Sequence, residues 1–183
     1  LKPVNKAKLV NRDKYSNANS NGKIVNLKTT DLCDRYADTL QIAEPALEDF
    51  GGSLVFDGPI VTLKVFEDDA LVRTTLEKAG QGQVLVVDGG GSMHCALVNE
   101  QLAKLAKQNG WLGLIVNGCI RHSAALAKVD VGIRALAKHP RNSFKHGVGE
   151  KNVPVRFAGI HFMPGHYVYA DEDGLVVSET ALP

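Results

Sequence analysis

Residues 83–122, QVLVVDGGGSMHCALVNEQLAKLAKQNGWLGLIVNGCIRH, decide how the rest of this chain is read. Val84 to Val87 is a short apolar run of strand character, and Asp88-Gly89-Gly90-Gly91-Ser92 breaks it. Ala96 to Lys107 carries apolar residues at Leu97, Leu102, Leu105 and Ala106, a spacing that predicts a helix. Leu112 to Val116 reads as a second buried strand, which Asn117-Gly118 should end just before Arg121. Two parallel strands joined by a helix bring their C-terminal ends to one edge, so Arg121 is expected beside the glycine loop. A glycine turn at a helix N-terminus leaves backbone N–H groups uncovered, where an anion is favoured. The expected product is a small pocket for a carboxylate or phosphate.

Working outward, Thr29-Thr30-Asp31 offers capping residues before Leu32, Tyr36, Ala37 and Leu40, a first short helix. Ser53 to Phe66 is β-rich, and its Asp57-Gly58-Pro59 predicts a turn between two strands. Glu67-Asp68-Asp69 is placed on the first turn of a helix running to Ala79, with Gly80 as its stop. Val129 to Ala137 reads as either a strand or a connector, and Arg141 to Lys151 as a basic, glycine-containing loop. Val155–Phe157 and Ile160–Phe162 flank Ala158-Gly159 as a hairpin. Tyr167–Ala170 and Leu175–Ser178 flank an acidic turn, Asp171 to Gly174. The reading is an α/β core closed by antiparallel strands in one domain, residues 29–183, preceded by a polar, basic extension over residues 1–28.

The 183 residues carry 44% hydrophobic and 22% charged side chains, enough for one good core. A formal net charge of +1 gives no field that would favour direct nucleic-acid binding or an anionic membrane. No run is apolar and long enough to span a bilayer, and no targeting peptide is legible, so cytoplasm is the expected location. Cys33, Cys95 and Cys119 lack the paired spacing of a zinc site and are expected to be reduced thiols.

Five blocks in order, VVDGGGS, NGWLGLIVNGCIR, VDVGIRALAKHP, GVGEKNVPVRFAG and PGHYVYADEDGLVVS, resemble the RraA family. That family includes the regulator of ribonuclease activity A and metal-dependent 4-hydroxy-4-methyl-2-oxoglutarate aldolases. The resemblance runs from about Thr29 to about Glu179. It implies a swivelling β/β/α fold and a ring-shaped homotrimer, sometimes paired into a hexamer, with aldolase sites between subunits and an acid from a neighbour's C-terminal region completing each site.

The resemblance also implies site residues. Arg121 is the expected carboxylate holder, since a planar guanidinium matches both carboxylate oxygens. An ion pair with a nearby acid is the alternative. Where the aldolases carry an aspartate that helps bind a divalent ion, this chain has His122, and where they carry an acid three residues on, it has Ala125. Imidazole suits Mn²⁺, Co²⁺ or Zn²⁺ better than Mg²⁺, so a metal here is expected to be a softer one, with His122 as its candidate ligand; an ordinary loop histidine that binds no metal is the alternative. Glu100 stands where the aldolases place an aspartate and is the candidate to position a water. A surface pair with Lys104 is its alternative. Gly89, Gly90, Gly91 and Ser92 are expected to line the substrate pocket, with a purely structural tight turn as the alternative. His94 and Cys95 do not suit a nucleophile pair, because adjacent residues rarely face each other. Lys104 and Lys107 lie at helix-surface spacing, and no lysine is expected where a Schiff base could form.

Three functions follow. His122 and Ala125 favour an oligomeric binding protein of the ribonuclease-regulator type, acting on a ribonuclease or RNA-processing protein without touching nucleic acid. The retained Arg121, Glu100 and glycine loop favour a metal-dependent aldolase or oxaloacetate decarboxylase. A sensor that binds a 2-oxoacid without turnover is the third. On sequence alone the first is preferred, because the site lacks its anionic ligand.

Overall fold

The computed structural model describes residues 28–183, so the expected N-terminal extension lies outside the described residues except for Lys28. The elements in chain order are α1 (Thr29–Tyr36), β1 (Gln41–Ile42), β2 (Glu48–Asp49), β3 (Phe56–Lys64), α2 (Ala70–Leu76), β4 (Val84–Asp88), β5 (Ala96–Val98) and α3 (Glu100–Gln108). They continue with β6 (Gly113–Ile120), α4 (Ser123–Leu126), β7 (Gly132–Lys138), β8 (Glu150–Lys151), β9 (Val155–Phe157), β10 (Ile160–Phe162), β11 (Tyr167–Asp171) and β12 (Gly174–Ser178).

A mixed sheet runs in the order β1-β12-β11-β3-β4-β6-β7-β2, with β5 also paired to β6 and β8 to β3, while β9 and β10 form a separate hairpin. Its centre, β3-β4-β6-β7, is parallel, and its flanks are antiparallel. Both faces of the centre are covered, as parallel sheets require. Leu85 and Val87 of β4 pack with α2 and α3 residues such as Val72, Leu76, Leu102 and Ala106. Val84 and Val86 pack on the other face with Phe157, Phe162 and Val168 from the C-terminal strands. Phe56 lies flat on the registered pair Gly113 and Gly132, where an added Cβ would come within 2.3 and 2.0 Å of its ring. Both expected hairpins are present, and the ambiguous stretch before Lys138 is β7.

Four expectations are corrected. Asp57-Gly58-Pro59 is not a turn: β3 runs straight through it and changes partners there. Residues 56–59 pair antiparallel with β11, and from Ile60 the strand pairs parallel with β4. Proline has no N–H for a ladder, so a proline inside a strand fits best where the pairing switches. The predicted helix from Ala96 begins only at Glu100, where the Asn99 side chain accepts from Leu102 N–H at 3.1 Å. Ala96–Val98 is instead β5, parallel to β6, and an apolar triplet reads the same in a strand as in a first helical turn. Asn117-Gly118 does not end its strand: β6 passes through a bulge between Val116 and Cys119 and continues to Ile120. Finally, α2 starts at Ala70 and stops at Leu76, leaving Glu67, Asp68 and Asp69 ahead of the helix.

Asp171, read from sequence as a turn acid, is 5% exposed and ties the chain's two ends together. Its carboxylate accepts from Thr29 N–H at 2.7 Å and Thr29 Oγ1 at 2.6 Å, supplying α1 with a cap from 142 residues away. It also accepts from the Asp173 and Gly174 amides in its own turn, at 3.0 and 3.3 Å. Burial pushes this carboxyl up, and the bonds from Thr29, Asp173 and Gly174 outweigh burial and hold it below the usual aspartate range. A depressed acid adds stability above its unfolded pKa of about 3.9, and that stability is lost as pH falls through the lower folded value. Asp171→Asn is therefore expected to lower the unfolding free energy by about 2 kcal/mol at neutral pH. In urea melts, the gap to the unsubstituted protein should close progressively below about pH 4.

Candidate functional site

The C-terminal ends of β4 and β6 are joined by a backbone clamp. Asp88 and Asn117 are register partners, and the Asn117 side-chain amide donates to Asp88 Oδ1 at 2.8 Å. The Asn117 carbonyl accepts from both the Gly89 and Gly91 amides at 3.1 Å, and Gly90 N–H donates to Asp88 Oδ1 at 3.0 Å. Ser92 N–H closes the turn on the Gly89 carbonyl at 3.3 Å. Gly90 and Gly91 have φ of 66° and 70°, the left-handed region that glycine enters without strain. At Gly89 an added Cβ would meet Leu97 Cδ1 at 2.4 Å, so Leu97 can pack there only over a bare backbone. The amides of Gly89, Gly90, Gly91 and Ser92 are thus all engaged inside the loop.

The Ser92 hydroxyl donates to Glu67 Oε1 at 2.6 Å, and His94 Nδ1 lies 3.0 Å from the same oxygen. These two bonds hold the Glu67 carboxyl below its ordinary range. Glu67 has φ 54°, an uncommon setting for a side chain with a Cβ, and sequence reading missed this cluster because only the β3–β4 register brings residues 67 and 92 together. Cys95 and Cys119 are buried free thiols, both pushed up by burial, which suits structural rather than reactive cysteines. Cys33 is also a free thiol.

Beyond the clamp, β6 delivers Arg121, whose N–H donates to the Val98 carbonyl at 3.0 Å. Its Nε is buried without a partner, and its Nη2 lies 3.1 Å from His122 Nε2. A guanidinium only donates, so this imidazole nitrogen is the acceptor. His122 has φ 60° and ψ 41°, a left-handed corner that swings the exposed ring back toward Arg121. The two residues open onto a cleft of about 410 Å³ lined by Arg121, His122, Ser123, Lys138, His139 and Pro140. Lys138 and His139 lie just past the stretch whose sequence fits either a strand or a connector, and only the pairing of β7 with β6 brings them to Arg121.

Glu100 begins α3, and its Oε1 takes Lys104 Nζ at 2.6 Å, the surface pair anticipated as its alternative. Lys104 depresses the carboxyl most, through its hydrogen bond and its charge. Among the described residues no three His, Cys, Asp or Glu side chains gather as a metal cluster. One imidazole and one carboxylate, each accessible and each facing a cation that a doubly charged ion could displace, fit a borderline ion whose shell is mostly water. They do not fit a zinc site of three or four protein ligands. No helix among the described residues is long and apolar enough to cross a membrane.

A mixed α/β domain with a glycine clamp and an arginine at the end of the next parallel strand defines the class. The chain belongs to the RraA-like family: the family model described as Aldolase/RraA matches residues 29–177. It is 52% identical over 158 residues to a protein of Alkalilimnicola ehrlichii named "Putative 4-hydroxy-4-methyl-2-oxoglutarate aldolase", covering 86% of this chain and 98% of that one. A protein of Aromatoleum aromaticum with the same name is 54% identical over 155 residues, covering 85% and 98%. Among solved structures, the RNA-processing inhibitor RraA from Thermus thermophilis superposes with a TM-score of 0.84 at 43% identity, covering 87% of this chain and 96% of that one. A structure described as S-adenosylmethionine: 2-dimethylmenaquinone methyltransferase from Geobacillus kaustophilus superposes at 0.83 with 46% identity, covering 85% and 97%.

The loop after the cleft, residues 141–149, is tied down by the acids ahead of α2. Asp68, 3% exposed, accepts from the amides of Ala70, His146 and Gly147 at 2.9, 2.6 and 2.9 Å, and Lys145 Nζ reaches Asp69 Oδ1 at 2.8 Å. Asp68→Ala is expected to cost about 2 kcal/mol of stability. It should also raise hydrogen exchange at the His146 and Gly147 amides while leaving β4 and β6 protected.

Proposed function

We propose that this protein is a pyruvate-releasing lyase of the aldolase branch, cleaving 4-hydroxy-4-methyl-2-oxoglutarate or decarboxylating oxaloacetate. The observation that carries the proposal is Arg121, set at the head of an open cleft with its Nε buried and unpaired. The identity of 52–54% to proteins named as aldolases supports it over the binding-protein reading preferred on sequence alone.

Because the glycine-loop amides are engaged, the 2-oxoacid carboxylate falls to Arg121, which can meet it with parallel N–H donors. The clamp between Asp88 and Asn117 keeps β6 in register and so holds Arg121 in position, which matters because misplacing a reacting group by an angstrom costs rate heavily. Before an ion binds, His122 Nε2 accepts from Arg121 and steadies the guanidinium. Glu100 and His122 would hold a divalent ion of the Mn²⁺ or Co²⁺ type, which when bound supplies Lewis acidity for the charge that develops on the 2-oxo group. Glu100, released from Lys104, would orient a water at the cleft mouth. The open side of the cleft is where a neighbour in a homotrimer or hexamer would add its own residues.

A second reading keeps one support, the superposition on the RNA-processing inhibitor RraA of Thermus thermophilis. In that reading the ring presents its surface to a ribonuclease or RNA-processing protein, and the cleft is a relic or a 2-oxoacid sensor.

Pyruvate release from both substrates, measured with Mg²⁺, Mn²⁺, Co²⁺, Zn²⁺ or chelator, decides between them. The lyase reading expects turnover with a borderline ion, abolished by chelator, and a loss in kcat/KM of about a hundredfold or more in Arg121→Ala. No turnover with any ion, but Mg²⁺-dependent activity in His122→Asp, would overturn it in favour of a disarmed family pocket.

A further inference from the structure

Two side chains on the far wall of the cleft, the cation Lys138 and the imidazole of His139, have no role in holding a 2-oxoacid by its carboxylate. Lys138 ends β7 in register with Ile120, and His139 N–H donates to the Ile120 carbonyl at 2.8 Å. This pairing sets residues 138–139 abreast of Ile120 and Arg121 on the neighbouring strand. Adjacent strands run about 4.8 Å apart, a span comparable to that between the two ends of a four- or five-carbon diacid.

The charge on this wall has no acid partner among the described residues. No carboxylate lines the cleft. Lys104, Lys107 and Lys145 all pair with acids, whereas among the described residues Lys138 lies within ion-pair distance of none. Its Nζ sits 5.8 Å from the centroid of the Phe50 ring. A ring face attracts the ammonium only weakly and takes up none of its three N–H donors, which are free for an anion. His139 Nδ1 accepts from Arg141 N–H at 3.1 Å, which leaves Nε2 as the ring nitrogen that carries the proton and can donate. Glu100 is paired with Lys104, and Glu67 is held by Ser92 and His94.

We infer that Lys138 and His139 form a second anion subsite that holds the distal carboxylate of a 2-oxo dicarboxylic acid. The subsite sets the cleft's preference for dianions over monoanions of similar length. Lys138 supplies charge and His139 a directed N–H, while Arg121 takes the carboxylate beside the 2-oxo group. The inference rests on that placement of Arg121 but not on turnover.

Calorimetric titration of the full chain with 2-oxoglutarate, a diacid, and 2-oxobutyrate, a monoacid, tests it at low ionic strength. The unsubstituted protein should bind 2-oxoglutarate about tenfold more tightly. Lys138→Ala should erase that preference while leaving 2-oxobutyrate binding unchanged, and Lys138→Arg should restore it. His139→Ala should weaken 2-oxoglutarate selectively, and Arg121→Ala should weaken both ligands. A preference that survives Lys138→Ala, an equal loss for both ligands in that variant with an unaltered melting temperature, or no binding of either at about 10 mM overturns the inference. Binding with the expected preference but no pyruvate release overturns the lyase reading alone.

Discussion

The structure hangs on the clamp between Asp88 and Asn117. A parallel ladder ends wherever one strand stops, and β4 stops at Asp88 while its neighbour β6 goes on to Ile120. Asn117 resolves the mismatch by spending its carbonyl on two glycine amides and its side chain on Asp88. The chain can then turn out of β4, cross over three glycines and return as β5 on the same edge of β6. All four amides from Gly89 to Ser92 find acceptors in the turn or on Asn117. The clamp thus brings β5 onto the last residues of β6, where Val98 pairs with Ile120 and its carbonyl accepts from Arg121 N–H.

This arrangement changes what the glycine loop is for. A glycine-rich turn after a strand invites comparison with phosphate-cradling loops, whose amides point outward at the N-terminus of a helix. Here the amides point inward and β5 separates the loop from α3. The glycines serve close packing and the left-handed turn, and the cleft opens further along, between the ends of β6 and β7. The ligand-facing chemistry is accordingly that of side chains, with two residues from each of two adjacent parallel strands.

The departure at His122 takes on a different meaning beside its geometry. An aspartate at this corner would bring negative charge next to Arg121 and a hard oxygen for Mg²⁺. The histidine brings neither, and its left-handed backbone turns the ring onto the guanidinium. The relatives that share about half their residues with this chain carry the aldolase name, and a structural neighbour of comparable identity is an RNA-processing inhibitor. One scaffold thus accompanies two kinds of activity, so function has to be argued from the cleft and its donors rather than from the fold.

The sequence by itself determined the parallel strand pair, the glycine turn between them, the C-terminal hairpins and the family. Each of these is written in a local pattern: apolar runs, glycines at positive φ, and turn residues between short strands. It also identified Arg121 as a site candidate through its place after the second strand. Only the tertiary structure decided that Ala96–Val98 is a strand, that β3 changes partners at Pro59, and that Asp171 caps a helix from the opposite end of the chain. It alone set Lys138 and His139 across from Arg121 and aimed Ser92 at Glu67. These choices depend on which backbone edge is left unpaired and on contacts between residues 18 to 142 positions apart in the chain. A three-residue strand or a remote cap has no periodicity of its own to read, because its partner supplies the hydrogen bonds that define it.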